Sequence, residues 1–160
     1  MPSSPAPERR RVLLPLLVVL VAAAAVVAFV ARPEAGGNVE TIAPGQEKRT
    51  APEGQVIPGF PNELLVEEAA VISESYSIAY SGSRVDQPVV RYMSGMSLAD
   101  NIAAFRDRLQ SDGWTITQDA DPSASPAFFY AYKDNAQVNI LLVADESGKV
   151  QVTVAYAAAR

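Results

Sequence analysis

A chain of 160 residues allows one domain with appendages, and this one contains neither cysteine nor histidine. Those absences exclude disulfides, thiolate nucleophiles and cysteine–zinc or iron–sulfur sites, and they remove the commonest general base and transition-metal ligand. The net charge of −5 is unevenly spread: residues 34–160 hold 17 acids against 9 basic residues, a balance of −8 that disfavours nucleic acid as a partner.

Residues 1–11 form a basic tail ending in Arg9-Arg10-Arg11, and residues 12–31 are uncharged and apolar. Twenty residues at about 1.5 Å rise span roughly 30 Å, the thickness of a bilayer's hydrocarbon core. The spacing predicts a single transmembrane helix from Val12 to Ala31. The arginines keep the N-terminus cytoplasmic and deliver the rest of the chain outside. A secretory signal peptide shares this design, but the run exceeds a signal core. The small-residue cleavage patterns are also poor: Val26-Val27-Ala28 lies inside the run, and Phe29-Val30-Ala31 starts on a bulky side chain. The reading is a retained anchor, with a cleaved, secreted domain as the alternative. Without cysteine there is no lipoprotein. Ala24 and Ala28 are read as lipid-facing residues of the span.

Residues 32–61 are rich in proline (33, 44, 52, 58, 61) and glycine (36, 37, 45, 54, 59) and are expected to be a disordered, flexible linker. As a coil it would hold the domain about 30 Å from the membrane. The folded domain is assigned to residues 62–160. Alternation predicts a strand over 71–80, with Ile72, Tyr76, Ile78 and Tyr80 on one face and Ser73, Ser75 and Ser77 on the other. A second strand over 89–94 completes a hairpin. Ser97 then caps a helix, with Asp100 three residues on; Leu98, Ile102, Phe105 and Leu109 form its apolar stripe, and Gly113 ends it. Four further strands are expected at 114–118, 127–132, 137–143 and 150–156, with turns at Asp134-Asn135 and Ser147-Gly148. The order β-β-α-β-β-β-β predicts an α+β fold, an antiparallel sheet with one helix on its apolar face.

Phe60-Pro61, Tyr80, Ser97 to Phe105 and Leu109-Gln110-Ser111-Asp112-Gly113-Trp114 follow a recurring pattern. A proline-flanked approach leads to a strand, then a helix, then Gly-Trp opening the next strand. Over residues 58–118 this resembles prokaryotic membrane-anchored or secreted domains of unknown function. The resemblance implies an envelope-facing α+β domain and carries no catalytic residues across.

Reactive constellations fare poorly. Gly95-Met96-Ser97-Leu98-Ala99 stands where a nucleophile elbow would, but no histidine or Ser-x-x-Lys partner activates Ser97, which reads as a helix cap. Asp119, Asp121, Ser123 and Ser125 alternate like calcium-loop ligands. Ala124 replaces the required glycine and Tyr130 the final glutamate, so a connector is the better reading. Glu67-Glu68 and Asp145-Glu146 read as solvated charges. Aromatic residues are the better contact candidates. Phe128, Tyr130 and Tyr132 share one strand face and Tyr76 and Tyr80 another. Most are expected in the core, with hydroxyls at its rim, and Arg91 and Tyr92 point to opposite faces. Tyr76, Tyr80, Arg91, Tyr130 and Tyr132 are therefore the candidate partner-contact residues. No catalytic, metal or cofactor-binding residue is assigned. The expectation is a non-enzymatic, membrane-anchored binding or envelope-assembly module with a protein partner in the cell envelope. A small carboxylate- or Ser/Lys-dependent hydrolase is the reading from another class.

Overall fold

Period-two alternation carries most of the chain into extended structure, seen in a computed structural model that describes residues 39–82 and 85–159. Among the described residues eight strands form: β1 (Val39–Ala43), β2 (Gln46–Thr50), β3 (Val71–Tyr80), β4 (Asp86–Ser94), β5 (Thr115–Gln118), β6 (Ala127–Lys133), β7 (Ala136–Ala144) and β8 (Val150–Ala158). One α-helix, α1 (Leu98–Ser111), joins β4 to β5, and a 3-10 turn, Asn62–Leu64, precedes β3. All strands belong to one antiparallel sheet in the order β1-β2-β3-β4-β8-β7-β6-β5. Two meanders meet at its centre. β1 to β4 run inward from one edge, α1 crosses to the far edge, and β5 to β8 run back until β8 pairs with β4. The fold is α+β.

Two expectations need correction. The stretch read as a flexible linker holds β1 and β2, so the sheet has two strands more than the predicted order and the ordered domain reaches back to Val39. Neither strand has an apolar stripe. They form because β3 offers β2 a partner edge, with Gln46 opposite Tyr80 and Thr50 opposite Tyr76. Gly45 takes a positive φ of 76° in the turn between them. Ala51, Ile57 and Phe60, also in that stretch, join the core. The second correction concerns β3, where a register shift lies between Ile72 and Glu74. The bulge moves Ile72 to the opposite face from Tyr76, breaking the predicted alternation. The proposed span at residues 12–31 lies outside the described residues, among which no helix is long and apolar enough to cross a membrane.

The helix explains the core. Ile102, Phe105 and Leu109 are buried together with Val90 and Tyr92 of β4, Phe129 of β6, Val138, Ile140 and Leu142 of β7, and Val150, Val152 and Val154 of β8. Each such aliphatic or aromatic side chain contributes about 1.5–3 kcal/mol on burial. Ser97 caps the N-terminus, its Oγ accepting from the Asp100 N–H at 3.2 Å. One polar residue lies on the buried stripe. Asn101 is fully buried, and its Nδ2 donates to Ser94 Oγ, the Met96 carbonyl and the Ser97 carbonyl at 2.9–3.1 Å. It ties the β4–α1 connection to the helix it precedes. At the other end the Gly113 N–H bonds the Gln110 carbonyl and the Trp114 N–H bonds the Leu109 carbonyl. This is a Schellman ending, and the φ of +78° it imposes at Gly113 explains the glycine.

Candidate functional site

Residues paired across a sheet share a face, so the register sorts the side chains. One row runs Glu74, Arg91, Thr153, Leu141, Phe128; the next runs Thr50, Tyr76, Val89, Ala155, Asn139, Tyr130, Gln118. Tyr132 and Tyr80 lie on the same face, opposite the one that α1 covers. All five candidate contact residues therefore share a face. They are not one cluster: Tyr76 on β3 and Tyr130 on β6 are four strand spacings apart, roughly 19 Å.

At the β3–β4 end the face is ionic. Glu74 accepts from Lys48 Nζ at 2.8 Å and from Arg91 Nη1 at 2.9 Å, and Arg91 Nε reaches Thr153 Oγ1 at 3.4 Å. Lys48 Nζ also stands 4.3 Å from the centre of the Tyr76 ring. The Lys48, Arg91 and Glu74 side chains are 7%, 14% and 21% exposed, so solvent screens them weakly. Tyr76 is buried beside them. Burial first, then the Glu74 charge, pushes its phenol up to about 12 against the opposing pull of Arg91. Burial also raises Tyr80 and Tyr130 above the ordinary phenol value. The other member of the Arg91-Tyr92 pair is in the core, fully buried.

At the β6 end the same face is aromatic and open. Phe128 and Tyr132 are 45% and 44% exposed, and half-buried Tyr130 between them donates its hydroxyl to Gln137 Oε1 at 2.9 Å. The expectation that most of these side chains are core is corrected here. Phe129 and Ala131, which alternate with them, fill the core, so strand alternation turns the other three outward. The row lies one strand from the sheet edge.

The residues tested for chemistry are occupied by local structure. Ser97 Oγ donates to Asp100 Oδ2 within its capping turn. Asp119 holds Arg106 through two bonds of 2.9 Å, from Nε and Nη2. Asp121 accepts from the Ser123 hydroxyl and backbone N–H, an arrangement that holds its carboxyl below the usual range. Glu67 Oε1 accepts from the Gly95 N–H. Among the described residues, no group of three or more acids could hold a metal ion.

A concavity lies elsewhere, where three chain reversals meet. The end of α1 brings Asp112 and Trp114, the β6–β7 turn brings Lys133 to Ala136, β8 brings Tyr156, and the approach to β3 brings Pro61 and Glu63. Together they line a cleft of about 450 Å³. Trp114 and Tyr156 meet edge to face, with centroids 6.4 Å apart and planes at 78°. Lys133 Nζ donates to the Asp112 carbonyl at 2.7 Å, while Asp112 Oδ2 is buried without a hydrogen-bond partner. The first turn residue, Asp134, takes a positive φ of 51°. Sequence reading did not place this site. Its signals were Gly113-Trp114, read as a helix stop opening the next strand, and Asp134-Asn135, read as a turn. Their convergence depends on β6 and β7 lying under the helix end. Comparison with protein-family models, curated proteins and solved structures finds no match to this chain.

Proposed function

We propose that this chain is a single-pass membrane protein whose α+β domain works outside the cytoplasm as a non-enzymatic binding module, contacting a protein partner of the cell envelope through the aromatic row of β6. The observation that carries the reading is the exposure of Phe128 and Tyr132 on either side of Tyr130, on the face that α1 leaves uncovered. Aromatic side chains bury large areas at little conformational cost, and exposed apolar clusters on a folded domain commonly serve as contact surfaces. The charge break at Arg9-Arg10-Arg11 and the uncharged run over residues 12–31 support the anchor.

The ordered start at Val39 changes the tether. Between the proposed span and β1 stand only residues 32–38, and seven residues reach at most about 25 Å fully extended. A tether of that length raises the domain's effective concentration toward other membrane-bound proteins.

Two measurements test this. Protease added to intact cells should remove the domain without prior lysis; protection until lysis refutes the orientation, and release of a shortened mature form into the medium favours the secreted alternative. Crosslinking from the membrane-embedded full chain should capture a defined envelope protein. A double variant Phe128→Ser/Tyr132→Ser should lose that product while keeping the wild-type unfolding midpoint. Equal capture by wild type and variant refutes the β6 row as the contact.

A further inference from the structure

We infer that the uncovered face of the sheet receives a partner-protein segment bearing an acidic side chain, whose carboxylate docks on Arg91 while apolar side chains of the segment follow the same row to Phe128. The inference rests on the β6 row as the contact surface and adds the partner's chemistry. Arg91, Thr153, Leu141 and Phe128 stand opposite one another on β4, β8, β7 and β6, so they form one line across the sheet. A guanidinium marks one end and an exposed aromatic ring the other, with half-buried Leu141 between them.

Charge singles out a carboxylate. Residues 34–160 hold 17 acids against 9 basic residues. Yet from β4 to β5 the strand positions of this face hold no acid and one charged side chain, Arg91. The acids of the face stand on the other side of β4: Glu74 on β3, and exposed Glu40 on β1 opposite Lys48. Glu74 is shared by two cations, Lys48 at 2.8 Å and Arg91 at 2.9 Å. The guanidinium is held in place, Nη1 by Glu74 and Nε by Thr153, and its side chain is 14% exposed. Among the described residues no acceptor meets Arg91 Nη2, and that nitrogen is not one of the buried polar atoms left without a partner, so it is open to solvent. A fixed, accessible N–H donor beside apolar surface is preset for a carboxylate. A neutral segment would cover Nη2 without pairing it, and a cationic one would be repelled. The rest of the domain is acidic, so Arg91 also sets where the segment lands.

Arg91 and Phe128 are three strand spacings apart, roughly 14 Å, which two side chains four residues apart on an extended segment span at about 3.3 Å per residue. The probe is therefore the blocked peptide acetyl-Glu-Ala-Ala-Ala-Phe-amide, with its glutamine version as the neutral match. Each is titrated into the full chain in detergent and followed by NMR at the Arg91 Nε–H and at the Leu141 and Phe128 amides. The glutamate peptide should shift all three saturably and bind about tenfold more tightly than the glutamine peptide, a preference that shrinks as salt is raised. Arg91→Gln should abolish the preference and Arg91→Lys reduce it. The charge is also changed on the peptide, so the comparison in wild type decides even where a variant's unfolding midpoint falls. Phe128→Ser should weaken both peptides alike and leave the preference intact. Equal binding of the two peptides overturns the inference and leaves the β6 row as the contact. A preference that survives Arg91→Gln, or no saturable shift with either peptide, overturns it as well. Acetate binding at Arg91 as tightly as the glutamate peptide overturns it in favour of a lone anion site, and the same resonances moving with protein concentration alone overturn it in favour of a second copy. Crosslinking of the Phe128→Ser/Tyr132→Ser variant decides the β6 row separately.

Discussion

Asn101 offers the sharpest test of how this fold is held. It is a fully buried amide on the apolar stripe of α1, and its Nδ2 serves buried Ser94 Oγ and the carbonyls of half-buried Met96 and exposed Ser97. Asn101→Ala removes three bonds at about 1 kcal/mol each, offset by roughly 0.6 kcal/mol of better helix propensity and by removal of Asn101 Oδ1, which is buried without a hydrogen-bond partner. The Ser97 carbonyl keeps the Asn101 N–H and Ser94 Oγ keeps the Met96 N–H, so the expected loss is about 1–2 kcal/mol. Some 120 described residues unfold with roughly 0.25 kcal/mol/K of entropy, so the midpoint should fall by about 6 °C. Asn101→Asp is predicted to be worse at neutral pH, because a charged carboxylate would face two carbonyl oxygens away from solvent. Burial raises the pKa of the introduced carboxyl above its unfolded value, so that variant's deficit should shrink as pH falls and widen as pH rises. Thermal and urea unfolding of the full chain in detergent, followed by far-UV circular dichroism and Trp114 emission, measure both. An Asn101→Ala variant within about 0.5 kcal/mol of wild type, or an Asp variant with no pH-dependent deficit, would refute the claim that this amide network holds the β4–α1 connection.

Three other outcomes are expected. Glu74→Gln removes the carboxylate that Lys48 and Arg91 share and should cost about 2–3 kcal/mol, whereas the combined replacement Lys48→Met/Glu74→Leu/Arg91→Met should fall within about 1 kcal/mol of wild type; urea midpoints decide. Gly113→Ala meets no atom within 4 Å of the added Cβ, so its cost should be the left-handed backbone penalty alone, about 1–2 kcal/mol, with Trp114 emission shifted as the Schellman ending relaxes. Ultraviolet titration should show a late phenolate step near pH 12 that Tyr76→Phe removes. Because the folded-state value lies above the unfolded value of about 10, stability from this group is full below pH 10 and lost as pH rises toward 12; a flat stability profile across that window in wild type refutes the burial of Tyr76.

Local chemistry made α1 readable. Ser97, Asp100 and Gly113 are signals that act within one turn of chain, and the helix spans Leu98–Ser111 between them. Strand β3 likewise occupies Val71–Tyr80, where alternation put it. The same alternation separated Phe129 from Tyr130 and Tyr132, and Arg91 from Tyr92. It could not say which face of β6 would meet the helix, because both faces carry aromatic residues and only the docking of α1 ranks them.

Strands β1 and β2 show the opposite case. Residues 39–50 hold no apolar repeat, and a proline and a glycine stand at their turn, so nothing local distinguishes them from a spacer. Their order comes from hydrogen bonds to β3, from the Lys48–Glu74 pair and from the packing of Ala51, Ile57 and Phe60, all partners distant in sequence. The cleft belongs to the same class: Glu63, Asp112, Trp114, Asp134 and Tyr156 are scattered over nearly a hundred residues and meet because β8 returns to the centre of the sheet and brings β7 and β6 behind it. By itself the sequence determined where periodic elements start and stop, since caps, turns and alternation act between near neighbours. Tertiary structure alone decided which face is core, which edge gains strands and which side chains share a site, because those outcomes depend on contacts that exist only once the sheet has closed its order.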